Sequence, residues 1–444
     1  MKRNIQSIGN TMLSIISSTV VVLPFMIFLK WGSSHTVVAV LPFVIFYTFR
    51  TTGIFFIRGI RTKINSYILL KLAIYCGLLG SLFGLVGVSF LKLELVSGLF
   101  LGLSAAWLPM ANNTINYYKF ENHLTDSKNM GITVLSLTFL GIVLLLPNNY
   151  SFVLFFVIYG LMYSLALSSL INIKNYEVQV HDLEDYSYRY LILFLFLFAL
   201  VFLLRSSRLL LSTLQFDYFV YGTFLLVLCT LILSMFSHHR PQRRVPSDLS
   251  YLTILNGALG NYLFLFSSLY AAGYYGHNQL FARFYLPYVL GIVIAPIIGG
   301  LVGKESKKNS LIGMTVGLIL VLITPFFASG VLILSTFKSV FNGWLTEIYR
   351  HQDELPKDKR IWVKYTIQSM GSIAHQFVLM IIGSLLVMGN QSSVKTFFVM
   401  TSQKIPTVES RTLMTNWNGI ATGILLIGLI VYGLGSAIKI NVKW

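Results

Sequence analysis

The sequence predicts an all-α polytopic membrane protein: two pseudo-symmetric six-helix bundles with two further helices between them, about fourteen spans in all. Three observations carry this expectation. The chain is 55% apolar and 11% charged, with mean hydropathy +0.74, whereas soluble domains carry roughly 25% charged residues. Apolar runs of 17 to 25 residues recur between charge clusters, and about 20 such residues cross a bilayer as a helix. The basic residues fall mostly into alternate loops, as the positive-inside rule requires.

Taken in order, the first six spans are Ile8–Leu29, Thr36–Ile57, Ser66–Phe90, Leu93–Asn113, Gly131–Leu146 and Ser151–Ile171. Each is bounded by a polar or basic cluster. A polar linker follows, and then two further runs, Tyr190–Leu204 and Tyr218–Phe236. The last six are Tyr251–Ala271, Gln279–Val302, Leu311–Phe327, Gly330–Thr346, Tyr365–Met388 and Ile420–Ile438. Only Pro325 and Gly330 divide the short pair at 311–346. The corresponding domains are 1–172, 173–248 and 249–444. Met1-Lys2-Arg3 and the run after it read as the first membrane helix, because the run is too long for a signal peptide and no Ala-x-Ala site follows it.

Topology follows from the charges. With the N-terminus inside, 22 Lys and Arg fall on the cytoplasmic side and 7 on the outside, while Arg50, Lys71, Arg283 and Lys338 fall inside spans. Both termini are therefore expected in the cytoplasm, and short loops suggest a bacterial cytoplasmic membrane. The formal net charge of +18 has its explanation in this asymmetry, so no nucleic-acid partner is expected. The two cysteines, Cys76 and Cys229, both lie in apolar runs and suggest neither a disulfide nor a metal cluster. No P-loop, metal-ligand spacing or Gly-x-Ser-x-Gly is present. Neither an enzyme nor a cofactor is expected.

Loops recur in corresponding places. Spans two and three are joined by the basic turn Arg58-Gly-Ile-Arg61-Thr-Lys63, and the second and third of the last six by Gly299–Lys308, with Gly303, Lys304, Lys307 and Lys308. Asn113–Tyr118 and Asn342–Tyr349 each lead through a polar loop into the next span. Such halves are the plan of many secondary carriers. Over its whole length the chain resembles the major facilitator superfamily in its six-plus-two-plus-six arrangement. The family's Gly-rich basic loop is recognisable at Gly299–Lys308, without the Asp and with Glu305 as the one acid. The Arg that many members carry in span four is absent, and so is the Gly-Pro of proton-coupled drug exporters in span five. A polysaccharide-lipid flippase fold is also similar in size, pI and span number.

The chemistry lies in the membrane residues. The 15 acids read as span ends or solvated loops, and the loop 347–364, with balanced charges, as a cytoplasmic connector. Lys338 lies near the middle of span twelve, where a lysine costs roughly 2.5–3.5 kcal/mol and faces a partner or a wet cavity. Ser335, Lys338, Ser339, Asn342 and Thr346 form one polar stripe at helical spacing. Span thirteen adds Gln368, Ser372, His375 and Gln376; span nine adds Thr253, Asn256 and Gly260. Arg50 lies roughly 12 Å by helical rise from the cytoplasmic end of span two. The family resemblance implies that spans nine and twelve border a central cavity.

The expected function is an alternating-access carrier for an anionic or phosphate-bearing solute, a small molecule or lipid head group. Lys338, Asn342, Asn256, His375, Gln376 and Arg50 would bind it. Arg58, Arg61, Lys63, Gly303, Lys304, Lys307 and Lys308 would hold the cytoplasmic face, with Arg283 at the outer mouth. Each residue also has a plainer reading: Lys338 bonded to a carbonyl, Arg283 snorkelling, His375 packed, Asn256 as interhelical glue. A lipid-linked sugar flippase, a multidrug exporter and a non-transporting scaffold or sensor remain open alternatives.

Overall fold

The computed structural model describes residues 2–34, 41–60, 64–124, 129–173, 176, 188–210, 245–389 and 405–441. Those residues are helical throughout their regular elements. The expected eighth span, Tyr218–Phe236, lies outside them. Two compact units emerge: Met1–Cys229 with Asp353–Thr366, and Thr230–Gln352 with Ile367–Trp444.

The first unit contains α1 (Lys2–Thr19), α2 (Leu23–Ser34), α3 (Leu41–Gly59), α4 (Ser66–Gly87), α5 (Leu91–Glu121), α6 (Met130–Leu145), α7 (Asn148–Ala166) and α8 (Tyr188–Leu210). The expected first span is two helices, broken at residues 20–22, where three successive β-branched valines precede Pro24. The α4 helix shows how the unit closes. Side chains added at Gly77, Gly80 and Gly84 would collide with Tyr163, Leu101 and Phe156 respectively, so its small-residue face lets α5 and α7 approach closely. Polar side chains satisfy one another across that contact: Ser97 Oγ donates to the Gly80 carbonyl at 2.6 Å, and Ser104 Oγ meets Tyr163 Oη at 2.9 Å.

The opposite face of α4 is apolar and exposed. Ile68, Leu72, Tyr75, Leu79, Leu82 and Val86 recur at three-to-four spacing and are 38–52% exposed. In water such a stripe would be an aggregation liability; against lipid it needs no cover.

The α8 helix packs along α3. Phe49 meets Phe198 with ring centroids 4.8 Å apart, and Phe56 meets Phe194 at 5.0 Å.

The second unit contains α9 (Ser247–Tyr275), α10 (Phe281–Val302), α11 (Ser306–Leu322), α12 (Phe327–Arg350), most of α13 (Arg360–Gly389) and α14 (Val408–Asn441). The α14 helix begins twelve residues before the span expected at Ile420. Glycines again set the distances: Gly313 faces Phe337, and Gly317 faces Leu334, between α11 and α12. Tyr262 Oη bonds Asn418 Oδ1 at 3.1 Å and Thr422 Oγ1 at 2.6 Å, tying α9 to α14. Each of α9 and α10 contains a π turn, at Tyr262–Phe266 and Phe281–Tyr285.

Among the described residues, seven helices are long and apolar enough to cross a membrane: Ser66–Gly87, Lys92–Glu121, Tyr150–Leu170, Ser247–Tyr275, Phe281–Val302, Thr324–Arg350 and Val408–Gly433. Met130–Leu144 and Arg189–Phe202 are shorter apolar helices.

Candidate functional site

The polar residues of the second unit gather around α9, which presents two faces. Asn256 and Gly260, one turn apart, turn toward α12. Asn256 Nδ2 donates to Asn342 Oδ1 at 3.0 Å, and a side chain added at Gly260 would meet Lys338 Nζ at 3.3 Å. The Lys338 ammonium therefore lies over the bare backbone of Gly260. Asn256 is fully buried, while Lys338, Asn342 and Gly260 are half-buried. Because Asn256 Nδ2 is committed to Asn342, its buried Oδ1 has no hydrogen-bond partner.

The other face of α9 meets α13. Gly257 is the close approach: a Cβ there would fall 2.0 Å from the Gln368 carbonyl oxygen and 3.0 Å from the Ser372 nitrogen. Asn261 Nδ2 lies 3.2 Å from His375 Nδ1, and Tyr262 packs against the His375 ring. His375 is buried, and its Nε2 has no partner; the same is true of Gln368 Oε1. Gln376, beside it, is 3% exposed.

The expected set is thus only partly brought together. Lys338, Asn342 and Asn256 form one cluster, whereas His375 engages a different side of α9 and joins Asn261. The single stripe read along α12 divides as well. Ser335 is turned to Gly291 of α10, where an added Cβ would strike its Oγ, while Asn342 is turned to α9. Arg50 belongs to the first unit, half-buried, with its guanidinium 5.5 Å from the centre of the Tyr47 ring.

The residues expected to hold the cytoplasmic face have varied settings. Arg58 is buried at 7%; it donates to Thr366 Oγ1 at 3.0 Å and stacks over Tyr190 at 4.1 Å. Arg58→Gln is therefore expected to lower thermal stability by about 1.5–3 kcal/mol, the range for a hydrogen bond involving a charged group, measured as the shift in unfolding midpoint. Arg61 and Lys63 lie outside the described residues, as does the Lys304 side chain. Gly303 ends α10 at φ +54°, a backbone that favours glycine. Lys308 is exposed, and Lys307 lies 5.7 Å from the Trp344 ring and 5.2 Å from the Tyr432 ring. Arg283 stacks over Tyr275 at 5.0 Å.

Two acids are buried, and one of them, Asp358, corrects the expectation of solvated loop carboxylates. Glu94, near the start of α5, is fully buried. Asp358, in the loop expected to be a solvated connector, is 1% exposed. It sits at the N-terminus of α4: Ser66 N donates to Asp358 Oδ1 at 3.0 Å, and Tyr176 Oη donates to the same oxygen at 2.6 Å. Lys359 Nζ approaches Oδ2 at 3.3 Å and donates to the Ile64 carbonyl at 2.7 Å. Trp362 Nε1 completes the cluster through Ser66 Oγ at 2.9 Å. A carboxylate at a helix N-terminus meets both free N–H groups and the positive end of the dipole. Burial and then the Asp358 charge push the Tyr176 phenol far above its ordinary pKa, so it remains a donor. The Asn65-Ser66 start of α4 is legible as a cap, and Asn65 Oδ1 does accept from Ile68 N at 2.8 Å. Nothing local in the sequence marks a second cap 292 residues away.

Comparison with known proteins adds little. No protein-family profile matches the chain. No curated protein matches it by sequence. Among solved structures, the crystal structure of nucleoside transporter NupG is similar over 97% of this chain and 98% of its own, at 10% identity and a TM-score of 0.49.

Proposed function

We propose that this chain is a multi-pass secondary carrier of facilitator type, with fourteen crossings in a six-plus-two-plus-six order and both termini in the cytoplasm of a bacterial cell. The observation that carries the reading is the Asn256–Asn342–Lys338 cluster, a half-buried cation and two amides on apolar helices. A lysine placed there is retained at a cost unless it serves a solute or a partner. Its charge supports a solute bearing an anionic group, such as a carboxylated or phosphorylated metabolite. The partnerless oxygen of Asn256 supports a hydrogen-bond donor on the same solute, since a buried acceptor left unpaired costs about 1–3 kcal/mol. Transport proceeds by alternating access of the domains 1–172 and 249–444 about this site, with no chemical step.

A thermal-stability screen of the detergent-purified chain tests it, comparing sugar phosphates, dicarboxylates, cationic drugs and lipid-linked sugars. A ligand at about a hundred times its dissociation constant stabilises the native state by about 2.7 kcal/mol. The expected result is stabilisation by an anion class, lost in Lys338→Gln while the variant keeps its helical circular dichroism. Stabilisation by cationic drugs that the substitution leaves unchanged would overturn the site and favour drug efflux.

A further inference from the structure

A second feature of the second unit shares no lining residue with the Asn256–Asn342–Lys338 cluster. Between α10, α12 and the start of α11 lies a cavity of about 400 Å³. Ala295, Pro296, Val340 and Trp344 form its apolar wall, and Ser306 and Ser339 are among its polar lining residues. Gly343 also lines it, and a side chain added there meets nothing within 4 Å. The cavity opens to the surface of the unit, since Pro296 and Gly343 are exposed. On α10 the neighbouring exposed residues, Val293, Ile297 and Leu301, are 58%, 65% and 79% exposed.

The Ser306 end is cationic. Ser306 is the first residue of α11, where the helix dipole is positive, and Lys307 and Lys308 follow it. Lys307 Nζ is held 5.7 Å from the Trp344 ring and 5.2 Å from the Tyr432 ring, with Tyr251 stacked on Tyr432. Trp and Tyr collect at the head-group level of membranes, so these rings fix the depth of the lysine. An apolar slot that is continuous with an exposed apolar helix face, and whose lining residue Trp344 carries the Lys307 ammonium 5.7 Å from its ring, matches one class of molecule at both ends.

We infer that this slot binds an anionic phospholipid, its phosphate at Lys307 and the α11 N-terminus and the upper part of one acyl chain along Val340 and Trp344. The inference rests on the membrane setting of the chain and not on the identity of any transported solute. It takes Lys307 out of a purely gating role: the basic loop 303–308 becomes a lipid-reading element.

The test is native mass spectrometry of the full chain in detergent, with phosphatidylglycerol or phosphatidylcholine added at equal concentration, alongside Gly343→Leu and Lys307→Gln. The wild type is expected to retain phosphatidylglycerol in preference. Lys307→Gln should weaken that retention about fivefold, the effect of one lysine near a head group. Gly343→Leu should abolish it by filling the slot, with Gly343→Ala as a milder variant should leucine impair folding. Equal retention of phosphatidylglycerol by wild type and both Gly343 variants overturns the site. Equal retention of the two lipids by the wild type overturns the head-group assignment. Displacement of the bound lipid by millimolar inorganic phosphate shows a free-anion site and overturns the lipid.

Discussion

Replacing Asp358 by alanine is expected to destabilise the protein by about 3–5 kcal/mol, the range for breaking a buried charged pair by removing one partner. Three groups lose their acceptor together. Ser66 N is left unpaired at the first turn of α4, Tyr176 Oη loses its 2.6 Å bond, and Lys359 keeps a charge at 6% exposure without its carboxylate. Asp358→Asn separates the contributions, because the amide oxygen still accepts from Ser66 N while the charge at the helix dipole is gone. It should cost about 1–2 kcal/mol. Chemical denaturation of the full chain in detergent measures both. An alanine variant within 0.5 kcal/mol of wild type, in the ordinary range of surface substitutions, would show the loop to be the solvated connector that its composition suggests.

The second expected result is a pair of opposite signs. Gly257→Ala places a methyl group 2.0 Å from a backbone oxygen of α13. Neither helix backbone can yield without separating the faces that carry Asn261 and His375. Overpacking of this kind costs about 1–3 kcal/mol and occasionally more, and α9 and α13 touch through backbone here, so the upper end is expected. Gly343→Ala meets open space and removes a mid-helix glycine, so it should stabilise by up to about 1 kcal/mol. Unfolding midpoints of the two variants, measured side by side, decide the matter. Destabilisation by both would mean that the α9–α13 contact is no tighter than the wall of the cavity.

The helical, membrane-length character was legible in the sequence because apolar length is a local property. Ser66–Gly87, for instance, begins at the polar cap Asn65-Ser66 and ends at the glycine-rich Gly84–Gly87. Partner choice was not. A helical wheel places Ser335, Lys338 and Asn342 on one stripe, yet α12 has several neighbours, and residues only about 20° apart around its axis but two turns, about 10 Å, apart along it go to different ones. Ser335 takes Gly291 of α10, and Asn342 takes Asn256 of α9. His375 likewise shares α9 with Lys338 but not the same side of it. The acids misled for a related reason. Charge balance within 347–364 describes the loop alone, whereas Asp358 is buried by residues of α4 and Tyr176, hundreds and nearly two hundred positions away. Glu94 reads as the start of a span, and its burial appears only with the packing of α4 on α5, where Gly87 lies against it.

The π turns of α9 and α10 have a consequence for descent. Each arises when one residue is inserted into a helix whose ends are already fixed, so the chain bulges and does not rotate as a whole. In α9 the Tyr262 carbonyl accepts from the backbone N–H of Ser267 and, at 3.2 Å, from its Oγ as well, so the widened turn keeps its i to i+5 bond and gains a side-chain one. The two insertions lie on either side of the residues 267–280. A form lacking both would carry the same hairpin with each arm one residue shorter. Relatives of this chain should then align to it with paired one-residue gaps, one inside Tyr262–Phe266 and one inside Phe281–Tyr285.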